Sequence, residues 1–433
     1  MTLRKFQFQP GINKEGSDYS NEGGWFDADK IRFRKGRPEK IGGWSKYSNQ
    51  SFIGTCRKIY VYRSAEQTDY SVLGTHQKLY ILEGDDFNDV TPIRATTTNG
   101  IVFSATDGST TITATDDAHG AVAGDFVTIS GAVSLGGNIT ASVLNTEHQI
   151  TSITTDTFTF EASATANGSD TGNGGAGADA VYQINTGLDV YVRSTGWGVG
   201  TWGSSSWGAA AGIDSTNQLR LWSIDNFGDD TIAAIRLGGI YYWDESSGAT
   251  TRAVNATSLT DASNVPTKVL QIMMSDIDRH VIAFGCNAIG SSTLNPLLVR
   301  FSDAESLIDW TPSSTNSAGG VQLSLGSTII GALRTRQEIL IWTDAGIVSM
   351  RFVGQPFIFS FNEVATGMSI ISPNAAINAN GQVFFMDRGS FYTYSGSAQR
   401  LPCTVLDYIF SDINTSQLFK IFGTSNPEHN EVM

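Results

Sequence analysis

Short runs of β-branched and aromatic residues, bounded by Gly, Asn, Asp or Ser, recur from residue 51 to the end of the chain, and helical spacing of apolar positions is hard to find anywhere. The pattern predicts an all-β protein. Runs at 58–62, 70–73, 78–82 and 89–93 predict a four-stranded meander within residues 51–94, its last strand following the acidic turn Glu83-Gly84-Asp85-Asp86. A unit of this size fits one blade of a β-propeller. The layout returns within residues 186–433, first at 219–224, 231–236, 239–243 and 251–254. It comes again at 268–274, 280–285 and 297–301 with a last segment through Trp310, then at 328–334, 338–343, 346–352 and 356–364. The final set is 375–378, 382–386, 390–394 and 399–405. Two echoes support a repeat. Asp89-Val90-Thr91-Pro92 and Asp309-Trp310-Thr311-Pro312 each close a unit, and Thr343-Asp344-Ala345-Gly346 and Met386-Asp387-Arg388-Gly389 each join two apolar strands. These observations favour a propeller; an array of β-sandwiches is the alternative.

Residues 95–185 leave that rhythm. Aromatic residues become rare and Thr, Ala, Gly and Asp take over, with alternating runs at 110–113, 126–130, 147–153 and 157–161. This predicts a small Thr-rich antiparallel β domain inserted in a loop of the larger body, against the alternative of a long disordered loop. Its Gly-rich exit, 167–178, reads as a flexible tether.

Residues 1–50 form an N-terminal arm. Here Lys30-Ile31-Arg32-Phe33-Arg34 alternates apolar and cationic positions, which predicts an edge strand with one basic face. Asp27, Asp29, Glu22 and Glu39 flank it, so a solvated face or a subunit contact through Arg32 and Arg34 is favoured over a nucleic-acid patch. A second candidate contact is the Gly/Trp-rich loop at 196–208, where Trp197, Trp202 and Trp207 recur every five residues. Its glycines free the backbone while the indoles offer apolar area. Subunit contact is the first reading, followed by packing within the chain and then by stacking on sugar rings.

Charge narrows the field. Only 16% of the 433 residues are charged, against about a quarter in an average domain, and the net charge is −14. That balance disfavours a nucleic-acid coat held by phosphate neutralisation. Cys56, Cys286 and Cys403 are too far apart in sequence for a zinc motif or a disulfide framework. No apolar run approaches the roughly 18 residues of a membrane helix, and the start lacks the apolar stretch of a signal peptide, so the expectation is a soluble protein made in a cytoplasm with no stable membrane insertion.

Catalytic motifs are missing from the sequence: there is no G-x-S-x-G, no G-x-x-x-x-G-K-[ST] and no H-E-x-x-H. The histidines at 76, 119, 148, 280 and 429 stand singly and read as surface or turn residues. The acidic turns Asp85-Asp86-Phe87-Asn88-Asp89 and Asp225-Asn226-Phe227-Gly228-Asp229-Asp230 read first as solvated turns, then as a structural cation site and last as paired catalytic carboxylates, and they lack the spacing of an EF-hand. No catalytic residue, cofactor or metal ligand is assigned, and an enzyme is not expected.

Two stretches carry a resemblance. The first comprises Pro10-Gly11-Ile12-Asn13-Lys14-Glu15-Gly16, Gly23-Gly24-Trp25-Phe26-Asp27-Ala28-Asp29-Lys30-Ile31-Arg32-Phe33-Arg34 and Pro38-Glu39-Lys40-Ile41-Gly42-Gly43-Trp44. The second runs from Val299-Arg300-Phe301-Ser302-Asp303 through Asp309-Trp310-Thr311-Pro312, Thr315-Asn316-Ser317-Ala318-Gly319-Gly320 and Ile341-Trp342-Thr343-Asp344 to Phe352-Val353-Gly354-Gln355-Pro356. Both resemble the tail nozzle or tubular B-type proteins of short-tailed bacteriophages (podoviruses), related to the packaged-DNA stabilisation family. The resemblance implies a structural virion protein, a propeller subunit of a homo-oligomeric, hexameric ring at the distal tail tube. Its implied partners are a tail adaptor ring protein, a tail fibre or receptor-binding protein, and genome DNA passing through the lumen during ejection without specific binding. The alternative is a propeller-type tail protein that binds polysaccharide or hydrolyses glycans. The chain stops at His429-Asn430-Glu431-Val432-Met433 inside what reads as a new strand, so the expectation is a final blade or closing strand that is missing or supplied otherwise.

Overall fold

The computed structural model describes residues 8–17, 19–192 and 213–433. The fold is all-β, a five-blade propeller arrangement of small antiparallel sheets that carries an inserted seven-stranded domain. An N-terminal hairpin pairs β1 (Ile31–Arg34) with β2 (Arg37–Lys40). The turn between them, Lys35-Gly36, has both residues at positive φ, the type I′ geometry that matches strand twist.

The first blade is β3 (Cys56–Arg63), β4 (Asp69–Thr75), β5 (Leu79–Glu83) and β6 (Asp86–Asp89), in sequential order. Its fourth strand starts three residues earlier than the pattern suggests. Gly84, at φ +61, permits a two-residue turn that pairs Glu83 directly with Asp86, so the acidic residues enter the strand.

The insert follows: β7 (Ile93–Thr97), β8 (Val102–Ala105), β9 (Thr111–Thr115), β10 (Phe126–Ser130), a short helix α1 (Ala141–Leu144), β11 (Glu147–Ile153), β12 (Thr157–Glu161) and β13 (Asp179–Gln183). Its sheet order is β7-β13-β10-β11-β12-β9-β8. Alternation does the sorting: Ile112, Ala114, Phe158 and Phe160 turn into a core of the domain's own. The threonines between them turn out, and Thr159 meets the hydroxyls of Thr151 and Ser152 at 2.7 Å each. The Gly-rich exit is an ordered part of this domain and not a tether. Gly172 N donates to Leu135 O (2.7 Å), while Phe103 N and Val133 N donate to the carbonyls of Asn173 (2.9 Å) and Gly174 (2.8 Å). Gly174, at φ +82, lies so close beneath the Phe103 ring that any side chain would collide with it. Its glycines serve close approach.

The second blade is β14 (Trp222–Phe227), β15 (Asp230–Ile235), β16 (Ile240–Trp243) and β17 (Val254–Asn255). The third is β18 (Val269–Met274), β19 (Val281–Asn287), β20 (Leu294–Phe301) and β21 (Gly319–Gln322). Trp310 is therefore not in the third blade's outer strand. Its indole is buried and donates to Leu307 O at 2.8 Å, so the segment folds inward as a loop before the chain resumes pairing at Gly319. The fourth blade is β22 (Ile329–Arg334), β23 (Ile339–Thr343), β24 (Gly346–Gly354) and β25 (Ile358–Thr366). The fifth is β26 (Ala376–Ala379), β27 (Gln382–Met386), β28 (Phe391–Tyr394) and β29 (Ala398–Arg400), its first turn the type I′ pair Asn380-Gly381. A helix α2 (Leu406–Asp412) precedes a hairpin of β30 (Ser425–Asn426) and β31 (Glu431–Val432). The strand read at the end of the sequence is thus already paired, with Ser425 and Asn426.

The chain divides into two compact units, Gln50–Gln322 and Met1–Asn49 with Leu323–Met433. Within the first, the opening strands β3, β14 and β18 lie side by side, and apolar cores fill the spaces between neighbouring blades. Within the second, a core around Trp342, Val383 and Phe385 joins the fourth and fifth blades.

Candidate functional site

The chemistry of the larger unit concentrates at one polar joint. Thr75 Oγ1 accepts the amides of Gln77 (3.2 Å) and Lys78 (2.8 Å), a turn that delivers Lys78 to the start of β5 with its side chain only 2% exposed. Lys78 Nζ donates to Asp89 Oδ2 (2.7 Å) and to Glu147 Oε1, and lies 4.3 Å from the centre of the Phe126 ring. Arg252 Nη1 lies 2.7 Å from Asp89 Oδ1 and its Nη2 3.6 Å from Glu147 Oε2, to which Gln183 Nε2 also donates. Two cations and two carboxylates thus tie the first blade, the second blade and the insert together. Burial works to raise the Asp89 carboxyl, but Lys78 and Arg252 outweigh it and hold the group below its ordinary range.

Beside this joint the insert's two connecting segments are laced together. Ile184 N donates to Pro92 O at 2.9 Å. The buried Asp125 accepts from Thr186 N (2.7 Å), Asn185 Nδ2 (2.7 Å) and Val122 N (2.8 Å). Arg220, fully buried at the foot of the second blade, donates to Asn185 O at 2.6 Å, and burial lowers its pKa to about 10.

The two Asp-x-Thr-Pro echoes share one local geometry. Asp89 Oδ1 accepts Thr91 N (3.0 Å) and Asp309 Oδ1 accepts Thr311 N (3.0 Å), while the residue between, Val90 or Trp310, is driven into the core. Of the acidic turns, Asp225 is a bridge between blades. It accepts Tyr60 Oη (2.8 Å) from the first blade and Met274 N (2.9 Å) from the third. Asp229 accepts Ala65 N (2.7 Å), and Asp230 accepts Tyr242 Oη (2.6 Å). Among the described residues no group of three or more His, Cys, Asp or Glu is placed to hold a metal ion.

Three histidines are buried rather than at the surface, because each finds backbone partners in a core. His119 Nδ1 accepts Ala121 N (3.1 Å), and His148 Nε2 meets Leu144 O (2.9 Å) with its ring against Phe160. His280 Nδ1 meets Ser302 O (2.6 Å), with its Nε2 2.6 Å from Asp278 Oδ2. The three cysteines are free. No helix among the described residues is long and apolar enough to cross a membrane.

In the smaller unit, Glu338 ends the turn before β23 as Lys78 ends the turn before β5. Its carboxylate accepts Tyr394 Oη (2.7 Å), Arg351 Nε (2.9 Å) and the Ser349 hydroxyl, joining the fourth blade to the fifth. Burial pushes this carboxyl up, but those hydrogen bonds prevail and hold it low. The N-terminal arm is tied to the chain's other end. Lys14 N donates to Thr404 O (2.9 Å), Leu406 N to Glu15 Oε1 (3.0 Å), and Lys14 Nζ lies 3.9 Å from the centre of the Tyr408 ring.

Of the candidate contact residues, Arg32 is turned inward, its Nε 3.4 Å from Glu431 Oε1, whereas Arg34 is exposed at the hairpin tip. Trp197, Trp202 and Trp207 lie outside the described residues. No sequence motif marks Lys78, Glu147, Arg252 or Glu338 as members of these joints. Lys78 and Glu338 do leave a trace, a single charge heading an apolar run, Leu79-Tyr80-Ile81-Leu82 or Ile339-Leu340-Ile341-Trp342. Glu147 and Arg252 leave none.

No family model matches the chain, and no curated protein does. Solved structures are similar at low identity. The phage phi92 endosialidase shares 12% identity over 78% of this chain and 46% of its own, with a TM-score of 0.19. The extracellular domain of a one-component system from B. thetaiotaomicron shares 10% over 86% of this chain and 36% of its own, with a TM-score of 0.33. YCF48 from Cyanidioschyzon merolae shares 12% over 81% and 87%, with a TM-score of 0.28. This chain spans less than half the length of the first two. At these scores none of the likenesses bears on its activity.

Proposed function

We propose that this chain is a structural virion protein, a subunit of the tail nozzle of a short-tailed bacteriophage. In this reading it forms a ring, sixfold by resemblance, below an adaptor ring, and conducts and retains DNA during ejection without turning over a substrate. One observation carries the reading: the segments that resemble the nozzle proteins are used as joints inside the chain. Lys14 and Glu15 tie the arm to Thr404 and Leu406. Asp303 Oδ1 accepts Ser317 N at 2.8 Å, and Asp309 Oδ2 accepts Asn316 Nδ2 at 2.9 Å, which clamps the loop around Trp310. Residues engaged in this way build walls, and the net charge of −14 suits a conduit past which a polyanion must slide.

The test is electron cryomicroscopy of particles carrying an epitope-tagged copy of the chain. The tag is expected at the free end of the tail. A tag absent from particles, or purified chain that degrades capsule polysaccharide, overturns the reading in favour of a glycan-active protein. On this reading isolated subunits associate weakly and the ring forms on the adaptor. A stable sixfold ring of isolated subunits in mass photometry would refute that order of assembly.

A further inference from the structure

Two hairpin tips have the same form and opposite charge. At the tip of β1 and β2, Arg34 is paired directly with Arg37 across the Lys35-Gly36 turn, and all four residues are exposed. At the tip of β5 and β6, Glu83 is paired directly with Asp86 across the Gly84-Asp85 turn, again all exposed. Like charges directly opposite one another destabilise a strand pair, so each tip is improved by an outside charge of the other sign. Among the described residues, no ion pair reaches Arg34, Arg37, Glu83 or Asp86. The neutral Gln50 amide donates to the Asp86 carboxylate and brings no charge to it.

The cationic tip continues into an exposed aromatic stretch. Residues 41–47 are all exposed, with Trp44 at 88% and Tyr47 at 79%. Residues 30–46 hold seven Lys and Arg against the single Glu39, a net +6 in a chain of −14, which leaves −20 on the rest. Arginine beside Trp and Tyr is the composition of a protein-binding hot spot. Phosphate binding needs only the cations, and the other −20 would repel a polyphosphate.

The geometry points to a second copy of this chain as the partner: the arm's basic hairpin, with Trp44 and Tyr47 beside it, docks on the acidic β5–β6 hairpin of a neighbour. Such a contact is head-to-tail, using different surfaces on the two copies, and repeats around a closed ring. The inference deepens the ring reading and rests on it. Exposed ion pairs are individually weak and screened by salt, so the contact is weak by itself and favoured where copies are held close.

Charge swapping tests it on the full chain, with tryptophan fluorescence melting to confirm that each variant folds. Sedimentation velocity in low salt is expected to show concentration-dependent association of the unaltered chain, lost in about 0.5 M NaCl. Arg34→Glu with Arg37→Glu, or Glu83→Arg with Asp86→Arg, should each weaken association by about tenfold or more. Mixing the two variants restores opposite charges at every contact between unlike chains, so association returns in the mixture with the two variants alternating. The chain with all four substitutions regains the behaviour of the unaltered protein. Variants that associate normally overturn the proposal and leave the ring reading intact. Unaltered chains that never associate, or separate variants that do not recover on mixing, also overturn it, and the imaging of particles then judges the ring reading alone. Duplex DNA binding lost in the Arg34→Glu, Arg37→Glu variant with unchanged self-association would assign the tip to nucleic acid instead.

Discussion

The insert and the blades are both antiparallel β-sheet, yet they bury their apolar residues in different ways. Phe103, Ile112, Phe158, Phe160 and Tyr182 converge on a core that belongs to the insert alone. The core around Trp222 and Trp243 is shared by the first and second blades, and that around Trp342 and Phe385 by the fourth and fifth. A blade sheet therefore shares its core with a neighbour, whereas among the described residues the insert meets the propeller at its edge, through Glu147, Phe126 and the Asp125 clamp. A separate core and a polar attachment are distinct properties, and this domain has both.

The sharpest way to break the comparison is to remove one large core residue from each region. Phe160→Ala should destabilise the insert by about 3–5 kcal/mol, and Trp342→Ala should destabilise the fourth and fifth blades by a similar amount. All nine tryptophans lie outside residues 93–185, and Trp222, Trp243 and Trp342 sit in blade cores, so tryptophan fluorescence does not report on the insert directly. Phe160→Ala is expected to lower a melt followed by circular dichroism while leaving the fluorescence melt nearly in place; a fluorescence melt that falls equally would show one cooperative unit.

Next in size is the joint. Glu147→Ala strands the buried Lys78 with half its counter-charge and should cost about 3 kcal/mol, visible in the fluorescence melt because Lys78 belongs to a blade. Deleting residues 95–185 is expected to leave the propeller folded but weakened through the same lost partner, and adding Lys78→Met should recover part of the loss. If the deletion melts like the full chain, the joint contributes nothing.

A smaller effect belongs to the matching joint in the other unit. Tyr394→Phe removes one hydrogen bond to Glu338 and should cost about 1 kcal/mol in denaturant unfolding followed by fluorescence.

The smallest is a pH effect confined to the insert. Burial lowers the His148 pKa from its ordinary 6.5, so the folded domain resists a proton that the unfolded chain accepts. That contribution is complete above pH 6.5 and shrinks as pH falls toward the folded value. The isolated insert should melt lower at about pH 5.5 than at about pH 7.5, and His148→Gln should flatten the difference.

Strand existence was readable because alternation and turn residues are local signals. Asn380-Gly381 and Lys35-Gly36 mark two-residue turns, and Thr157-Phe158-Thr159-Phe160 marks a half-buried strand. The fourth strand of the first blade was misplaced because Asp85 and Asp86 read as a loop, although Gly84 alone suffices to turn the chain. The exit of the insert looks like a tether in sequence for a related reason. Glycine signals freedom in sequence, and only the Phe103 ring above Gly174 shows that the freedom is used for close packing. The polar joint was invisible because Lys78, Glu147 and Arg252 are brought together only by tertiary structure.

The hydrogen bond from Ile184 N to Pro92 O has one more consequence. It brings the insert's entrance and exit within one strand spacing of each other, the same gap that a short hairpin loop bridges. The propeller thus offers a socket whose two contacts are already side by side, and any cassette whose ends lie equally close could be grafted there without stretching the blade beneath it.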